Sequence, residues 1–146
     1  MTAEEQAALL AGTPLCNLAC LDDGHPYVVP VWFEYADGGF YLVARARAAW
    51  ARYLQRDGRV SLSIVSPGTA GRMIVKGLAE VVEEPNVGGR WFEINRRLSH
   101  RYMAAERCIE LSRDEPRWLI FVRPQRITTQ TGGGWSGKYK HSAWRL

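Results

Sequence analysis

Cysteine and histidine are scarce in this sequence, and neither is spaced for a metal site. The three cysteines are an odd number and include no C-x-x-C pair, and the three histidines are scattered along the chain. Cys16 and Cys20 lie in an apparent strand, where residues four apart share a face but are too far apart for a disulfide. The sequence therefore predicts buried thiols in a reducing compartment and no metal site.

A long apolar run is also missing. The longest runs, such as residues 28–33, are far too short to span a bilayer. The N-terminus carries Glu4 and Glu5 instead of a basic patch followed by an apolar segment. We therefore expect a cytoplasmic protein that does not enter a membrane.

Internal repeats and low-complexity segments are absent, apart from the three glycines at 132–134. A chain of 146 residues that is 47% hydrophobic and 11% aromatic can build one core. We predict a single domain over residues 1–146, in which residues 132–146 form a glycine-led tail rich in aromatic and basic side chains.

The most informative pattern lies in residues 24–65 and begins with a predicted β-hairpin. Residues 27–35 are rich in β-branched and aromatic side chains. A D-G-G turn follows at 37–39, where glycine tolerates positive φ. Residues 40–45 then supply the returning strand.

A basic helix and a further strand are predicted directly after this hairpin. Trp50, Tyr53 and Leu54 recur at i, i+3 and i+4, which predicts a helix over residues 47–56. Residues 59–65 alternate apolar side chains with serines, as a strand with one buried face does.

The remaining segments complete a mainly β architecture. Thr2 and Glu5 have the spacing of a capping box. Gly77 suggests a bulge, and Pro124 requires an edge or a strand end. The predicted elements are a helix over 2–11, strands over 15–21 and 72–84, a helix between 85 and about 108, and a strand over 118–122 extended by 127–131.

The order and spacing of these elements resemble the FMN-binding split-barrel superfamily, that is, the pyridoxamine 5'-phosphate oxidase-like proteins, especially small members that use FMN or the deazaflavin F420. The resemblance covers most of the chain and implies a mainly β fold with helices: a six- to seven-stranded antiparallel split barrel that forms a homodimer. The matching segments are VVPVWF at 28–33, YLVARAR at 41–47, ARYLQRDGRV at 51–60 and IVKGLAEVV at 74–82.

The resemblance also implies a cofactor, FMN or F420, with FMN preferred and haem as a weaker option. In the family, the stretch equivalent to V-P-V-W runs along the cofactor ring. By this resemblance Pro30, Val31 and Trp32 are placed at the ring.

The anionic tail of such a cofactor needs convergent cations. Arg45 ends a predicted strand, and Arg47 and Arg52 lie on the first turns of the predicted helix. Guanidinium groups and helix N-terminal amides bind phosphate, so these arginines are candidates for it. The alternative is a solvated helix face.

One position departs from the family pattern. Many members have a phosphate-binding lysine where this chain has Trp50, and an asparagine where it has Tyr53. Tryptophan cannot neutralise a phosphate. Three arrangements remain open: the arginines bind the phosphate, the cofactor sits differently, or the site is empty.

The C-terminal tail is a further candidate for the same site. In split-barrel relatives the site lies at a dimer interface, and C-terminal residues of the second subunit can reach it. We therefore include Trp135 and Lys138, because aromatic rings stack on planar cofactors and lysine pairs with anions. The alternative is that Trp135 and Trp144 only cover the dimer core.

The resemblance implies an FMN- or F420-dependent oxidoreductase that reduces a small organic substrate, and the alternative is a non-catalytic FMN- or haem-binding split barrel. Catalytic residues stay unassigned, because the chemistry resides in the cofactor. Lys76, His100 and Tyr102 are possible substrate-facing groups. Nucleic-acid binding is disfavoured although the net charge is +4, because the basic residues are spread along the chain and interleaved with 15 acidic residues.

Overall fold

The computed structural model describes residues 1–66, 71–103 and 114–131. Within these ranges the chain forms three helices and one seven-stranded antiparallel sheet, which confirms the predicted mainly β fold. None of the described helices is long and apolar enough to cross a membrane. In chain order the elements are α1 (Ala3–Ala11), β1 (Leu15–Asp22), β2 (His25–Val31), β3 (Glu34–Ala36), β4 (Gly39–Arg45), α2 (Ala49–Arg56), β5 (Arg59–Val65), β6 (Arg72–Glu83), α3 (Arg90–Tyr102) and β7 (Arg117–Gln130).

The predicted single strand over residues 27–35 is wrong, because the chain breaks at Trp32 and Phe33. The strand order is β2-β1-β5-β6-β7-β4-β3, so β2 and β3 lie at opposite ends of it. Val31 is opposite Cys16 on β1, whereas β3 forms the expected hairpin with β4. The break carries the chain from one end of the sheet to the other.

Side chains of alternate strand residues fill the core, as the sequence pattern predicts. A second apolar cluster lies on the other face of the sheet, where α3 packs against β4 and β7. The least accessible core side chains include Leu18, Phe33, Phe40, Leu42, Ile64, Val75, Ile120 and Val122. The second cluster consists of Tyr41, Trp91, Ile94, Leu98, Leu119 and Phe121.

Two local predictions about helix starts have different outcomes. The capping box forms, with the Glu5 N–H donating to Thr2 Oγ1 at 3.1 Å and the Thr2 N–H donating to Glu5 Oε2 at 2.7 Å. The second helix begins at Ala49, two residues later than expected. Arg47 therefore lies in the turn before α2, and the N-cap residue Ala48 makes no side-chain capping bond.

The bulge predicted at Gly77 is present in the pairing of β6 with β7. The register shifts between Lys76 and Gly77, and a Cβ on Gly77 would lie 2.3 Å from the Arg123 carbonyl oxygen. Pro124 lies just beyond Val122, the last β7 residue paired with β4. It therefore occupies a local edge, as its missing N–H requires.

Candidate functional site

A cavity of about 1150 Å³ is bounded by the start of β1, the end of β2, the end of β4, the start of α2, the C-terminal half of α3 and the start of β7. Its volume suits a small molecule or a cofactor. The residues proposed from the sequence that line it are Pro30, Val31, Trp32, Arg45, Arg47 and Trp50.

The other three sequence candidates are Arg52, Trp135 and Lys138. Arg52 is exposed on α2 and does not line the cavity. Trp135 and Lys138 fall outside the described residues. Within the described residues, the cavity wall comes from the sheet, α2, α3 and adjoining connections.

One wall is formed by the end of β2. This strand is at the end of the strand order, so alternate backbone groups point away from β1. Pro30 is opposite Asn17 on β1, which also lines the cavity. Just beyond β2, Trp32 stacks on Tyr102 with ring centroids 5.4 Å apart and planes within 4°. This wall offers backbone polar groups beside a flat aromatic surface.

The part of the cavity lined by β4 and β7 is cationic. Arg45, the last residue of β4, is directly opposite Arg117, the first residue of β7, and both line the cavity together with Arg47. Opposed like charges are destabilising unless a counter-charge joins them. The Glu115 carboxylate supplies part of this counter-charge, because its Oε2 lies 3.2 Å from Arg117 Nη2.

Arg117 is the most constrained cation of this cluster. Its side chain is only 12% exposed, and its Nε has no hydrogen-bond partner within the described part of the chain. Burial lowers the pKa of Arg117, and the charge of Arg45 lowers it further, whereas Glu115 raises it. An anion at this end of the cavity would satisfy the free donor and offset the repulsion.

Trp50 supplies an apolar surface between these walls. It is 8% exposed on the first turn of α2 and packs into the core. The turn before it is held by two hydrogen bonds: the Ala48 N–H donates to the Arg45 carbonyl at 2.9 Å, and Trp118 Nε1 donates to the Ala46 carbonyl at 3.2 Å. The turn that carries Arg45 and Arg47 is therefore fixed against β7.

The α3 wall was not predicted from the sequence, apart from Tyr102 as a possible substrate-facing group. Asn95, Leu98, Ser99 and Tyr102 are spaced i, i+3, i+4 and i+7, so they share one helix face, and all line the cavity. Asn95 Nδ2 and the Tyr102 hydroxyl are buried without a partner among the described residues. Lys76 and His100 are not cavity residues.

Both ends of α3 are anchored, which holds this wall in place. At its start, Glu83 accepts backbone N–H groups of Arg90 and Trp91 at 3.0 and 3.1 Å. Near its end, Arg101 donates to the Gly12 carbonyl at 2.6 Å and also to the Leu10 carbonyl.

Family comparison agrees with this architecture. Residues 2–131 match the family described as pyridoxamine 5'-phosphate oxidase. The chain therefore belongs to the pyridoxamine 5'-phosphate oxidase family of split-barrel proteins. A comparison with curated proteins finds no match.

Solved structures share the fold at low sequence identity. A FAD-binding protein from Mesorhizobium loti is 19% identical with a TM-score of 0.61, and the match covers 88% of this chain and 92% of that one. An F420 reductase is 23% identical with a TM-score of 0.67, covering 83% and 94%. The heme storage protein HutZ from Vibrio cholerae is 19% identical with a TM-score of 0.67, covering 88% and 93%. These similarities confirm the split-barrel fold.

Proposed function

We propose that this protein binds FMN or F420 in the cavity and acts as an oxidoreductase on a small organic substrate. Family membership and the names of the structural neighbours support this class of function. FMN is the preferred cofactor of the two. The same cavity would hold the cofactor ring at one end and its anionic tail at the other.

The observation that carries this proposal is the pairing of Arg45 with Arg117 beside Arg47. Placing like charges opposite each other is unfavourable in the ligand-free protein. A phosphate bound between the guanidinium groups would convert this repulsion into charge-assisted hydrogen bonds. The N-terminus of α2 adds to the positive potential, because Ala48 provides no side-chain cap and lines the cavity.

The residues present suit a cofactor of this kind. Arg117 Nε, Asn95 Nδ2 and the Tyr102 hydroxyl have no hydrogen-bond partner within the described ranges. Arg117 Nε could donate to an anion, and the other two donors match acceptor atoms on a ring. Trp50 replaces the lysine common in the family with an apolar wall, so the arginines supply the charge. The longer anionic tail of F420 would use the same cations.

A bound flavin or deazaflavin supplies the electron-transfer chemistry, and the protein supplies binding and orientation. Arg45, Arg47 and Arg117 bind the anionic group. The backbone of Pro30 and Val31 orients the ring, and Leu98 together with other apolar wall residues excludes water. We assign no catalytic acid or base.

A homodimer completes this proposal. Leu15 and Val28 are 64% and 62% exposed on the outer face of β1 and β2, and Leu15 is opposite the exposed Val65 of β5. A second copy covering this apolar surface would bring a partner tail near the cavity. We propose that Trp135 and Lys138 act from that tail.

The alternative function is cofactor binding without turnover, for FMN or for haem. Its haem form is supported by the cavity position of Met103, whose thioether sulfur is a potential iron ligand. Cys16 also borders the cavity, but its side chain is buried in the core. Burial raises the pKa of Cys16 to about 12, which disfavours the thiolate that binds iron. This argues against the haem form of the alternative, and reduction of a substrate stays our preferred function.

Visible absorption during separate titrations with FMN, F420 and haem tests this proposal. We expect a saturable spectral change with FMN or F420, followed by turnover of a quinone or nitro compound when a reductant is added. Binding without turnover would support the non-catalytic alternative. No saturable change with either FMN or F420 would overturn the proposed function.

A further inference from the structure

Buried polar residues are few in the described part of the chain, and one of them has a side-chain donor without a partner. They are Glu83, Asn95 and Ser99. Glu83 is satisfied by the backbone N–H groups at the start of α3. Asn95 and Ser99 both line the cavity from α3, and of these two only Asn95 has a buried side-chain atom without a partner among the described residues.

Asn95 is the more informative of the two. It is 7% exposed, and its Nδ2 has no hydrogen-bond partner in the described ranges. A buried donor without a partner lowers the stability of the fold, because its hydration is lost and not replaced. A leucine at this position would avoid that cost. Such a group is explained by a ligand atom that accepts its hydrogen bond.

Tyr102 presents a second free donor on the same helix face. Its hydroxyl has no partner in the part of the chain that the structure describes, although the Phe33 backbone lies close enough to lower the pKa slightly. Burial is the main influence and raises that pKa, and a tyrosine hydroxyl is protonated at neutral pH in any case. Its ring is held flat against Trp32.

The spacing of these donors indicates the shape of the ligand. Tyr102 lies seven positions after Asn95, so their backbone positions are about 10 Å apart along the helix axis. That is the length of a fused-ring system. Neither donor is charged, and the nearest cation of α3, Arg101, already binds the Gly12 and Phe33 carbonyls. The pattern therefore suits neutral acceptors, such as ring carbonyl oxygens or ring nitrogens.

We propose that the face of α3 formed by Asn95, Ser99 and Tyr102 recognises a planar fused ring through its acceptor atoms, with Asn95 Nδ2 and the Tyr102 hydroxyl donating hydrogen bonds. This inference rests on the proposed function, because it places a planar ligand in the same cavity. The ring belongs either to the cofactor or to a carbonyl-bearing substrate. Both present the same acceptor chemistry.

The test compares Asn95→Leu and Tyr102→Phe with the unmodified protein. Tyr35→Phe is the matched control, because Tyr35 is exposed and is not a cavity residue. Thermal unfolding is measured without ligand, and dissociation constants are measured for FMN, for F420 and for 1,4-naphthoquinone. The naphthoquinone is titrated into the protein alone and into the cofactor-loaded protein.

We expect each cavity variant to weaken ligand binding about 3- to 10-fold, the loss of one neutral hydrogen bond. We also expect both to unfold at the same or a higher temperature than the unmodified protein without ligand, since each removes an unsatisfied donor. Weakening for FMN or F420 alone assigns the acceptors to the cofactor ring. Weakening for naphthoquinone alone assigns them to a substrate.

The proposal and the proposed function can fail separately. If the unmodified protein binds neither FMN nor F420, the proposed function fails, while weaker naphthoquinone binding in the two variants still supports recognition by α3. Unchanged affinities in both variants would overturn the α3 proposal. So would a large loss of stability in both without ligand, or no binding of any of the three compounds by the unmodified protein.

Discussion

The carboxylate of Glu83 at the end of β6 accepts the backbone N–H of Trp91, 3.1 Å away in the first turn of α3. It also accepts from Arg90 at 3.0 Å and from Gly89 at 3.3 Å. Gly89, the N-cap residue, has no side chain to cap the helix, so a residue from the sheet takes that role. The negative charge also suits the positive end of the helix dipole.

Replacing Glu83 with alanine should lower the free energy of unfolding by about 2 kcal/mol, because charged, buried hydrogen bonds are lost. Urea denaturation measures the change. Glu80→Ala is the control, since Glu80 is exposed and lies 3.4 Å from the exposed Arg123, and it should cost no more than about 0.5 kcal/mol. Equal losses in the two variants would contradict the capping role of Glu83.

Replacing Arg117 with methionine should weaken FMN or F420 binding about tenfold or more, because charge-assisted hydrogen bonds are lost. Arg47→Met should act in the same direction. Arg52→Met is the matched control, because Arg52 lies on α2 outside the cavity. Weaker binding in Arg52→Met alone would place the phosphate on the exposed side of α2.

Replacing Gly77 with alanine should destabilise the sheet by about 1–3 kcal/mol, as overpacking does. The new Cβ would lie 2.3 Å from the Arg123 carbonyl oxygen, and backbone atoms cannot yield as a flexible side chain can. Gly12→Ala is the control, because its Cβ would lie 3.4 Å from the nearest atom, the Ala8 carbonyl oxygen. Thermal and urea unfolding should show a loss only in the first variant.

Alkaline pH should destabilise the fold through Cys16. Burial raises the pKa of its thiol from 9.0 to about 12, so between these values the folded state binds more protons than the unfolded state. Stability should therefore fall as the pH rises through this window. In Cys16→Ala the decline should be shallower, which urea denaturation at several pH values would show.

The same burial predicts thiol reactivity. In a Cys108→Ser background, Cys16 and Cys20 are buried in the core and should resist a thiol reagent at about pH 8. Both should react after unfolding in urea. Rapid reaction of the folded protein would show that the thiols are accessible.

Local features of the fold were predictable because neighbouring residues determine them. The Thr2 and Glu5 capping box, the span of β5 and the bulge at Gly77 all follow from short-range spacing or from the conformational freedom of glycine. The break at Trp32 and Phe33 was not predictable in this way. Strand propensity continues through both residues, and only the choice of pairing partners divides the segment.

The sequence by itself predicted most of the strands, the basic segment after β4 and the family resemblance. These named six residues that line the cavity: Pro30, Val31, Trp32, Arg45, Arg47 and Trp50. Tertiary structure alone decided the rest. Arg117 lies opposite Arg45 because of the register between β4 and β7, although the two residues are 72 positions apart in the chain. The polar face of α3 lines the cavity because hydrogen bonds of Glu83 and Arg101 hold both ends of the helix. Such contacts depend on packing between distant segments, which local spacing does not encode.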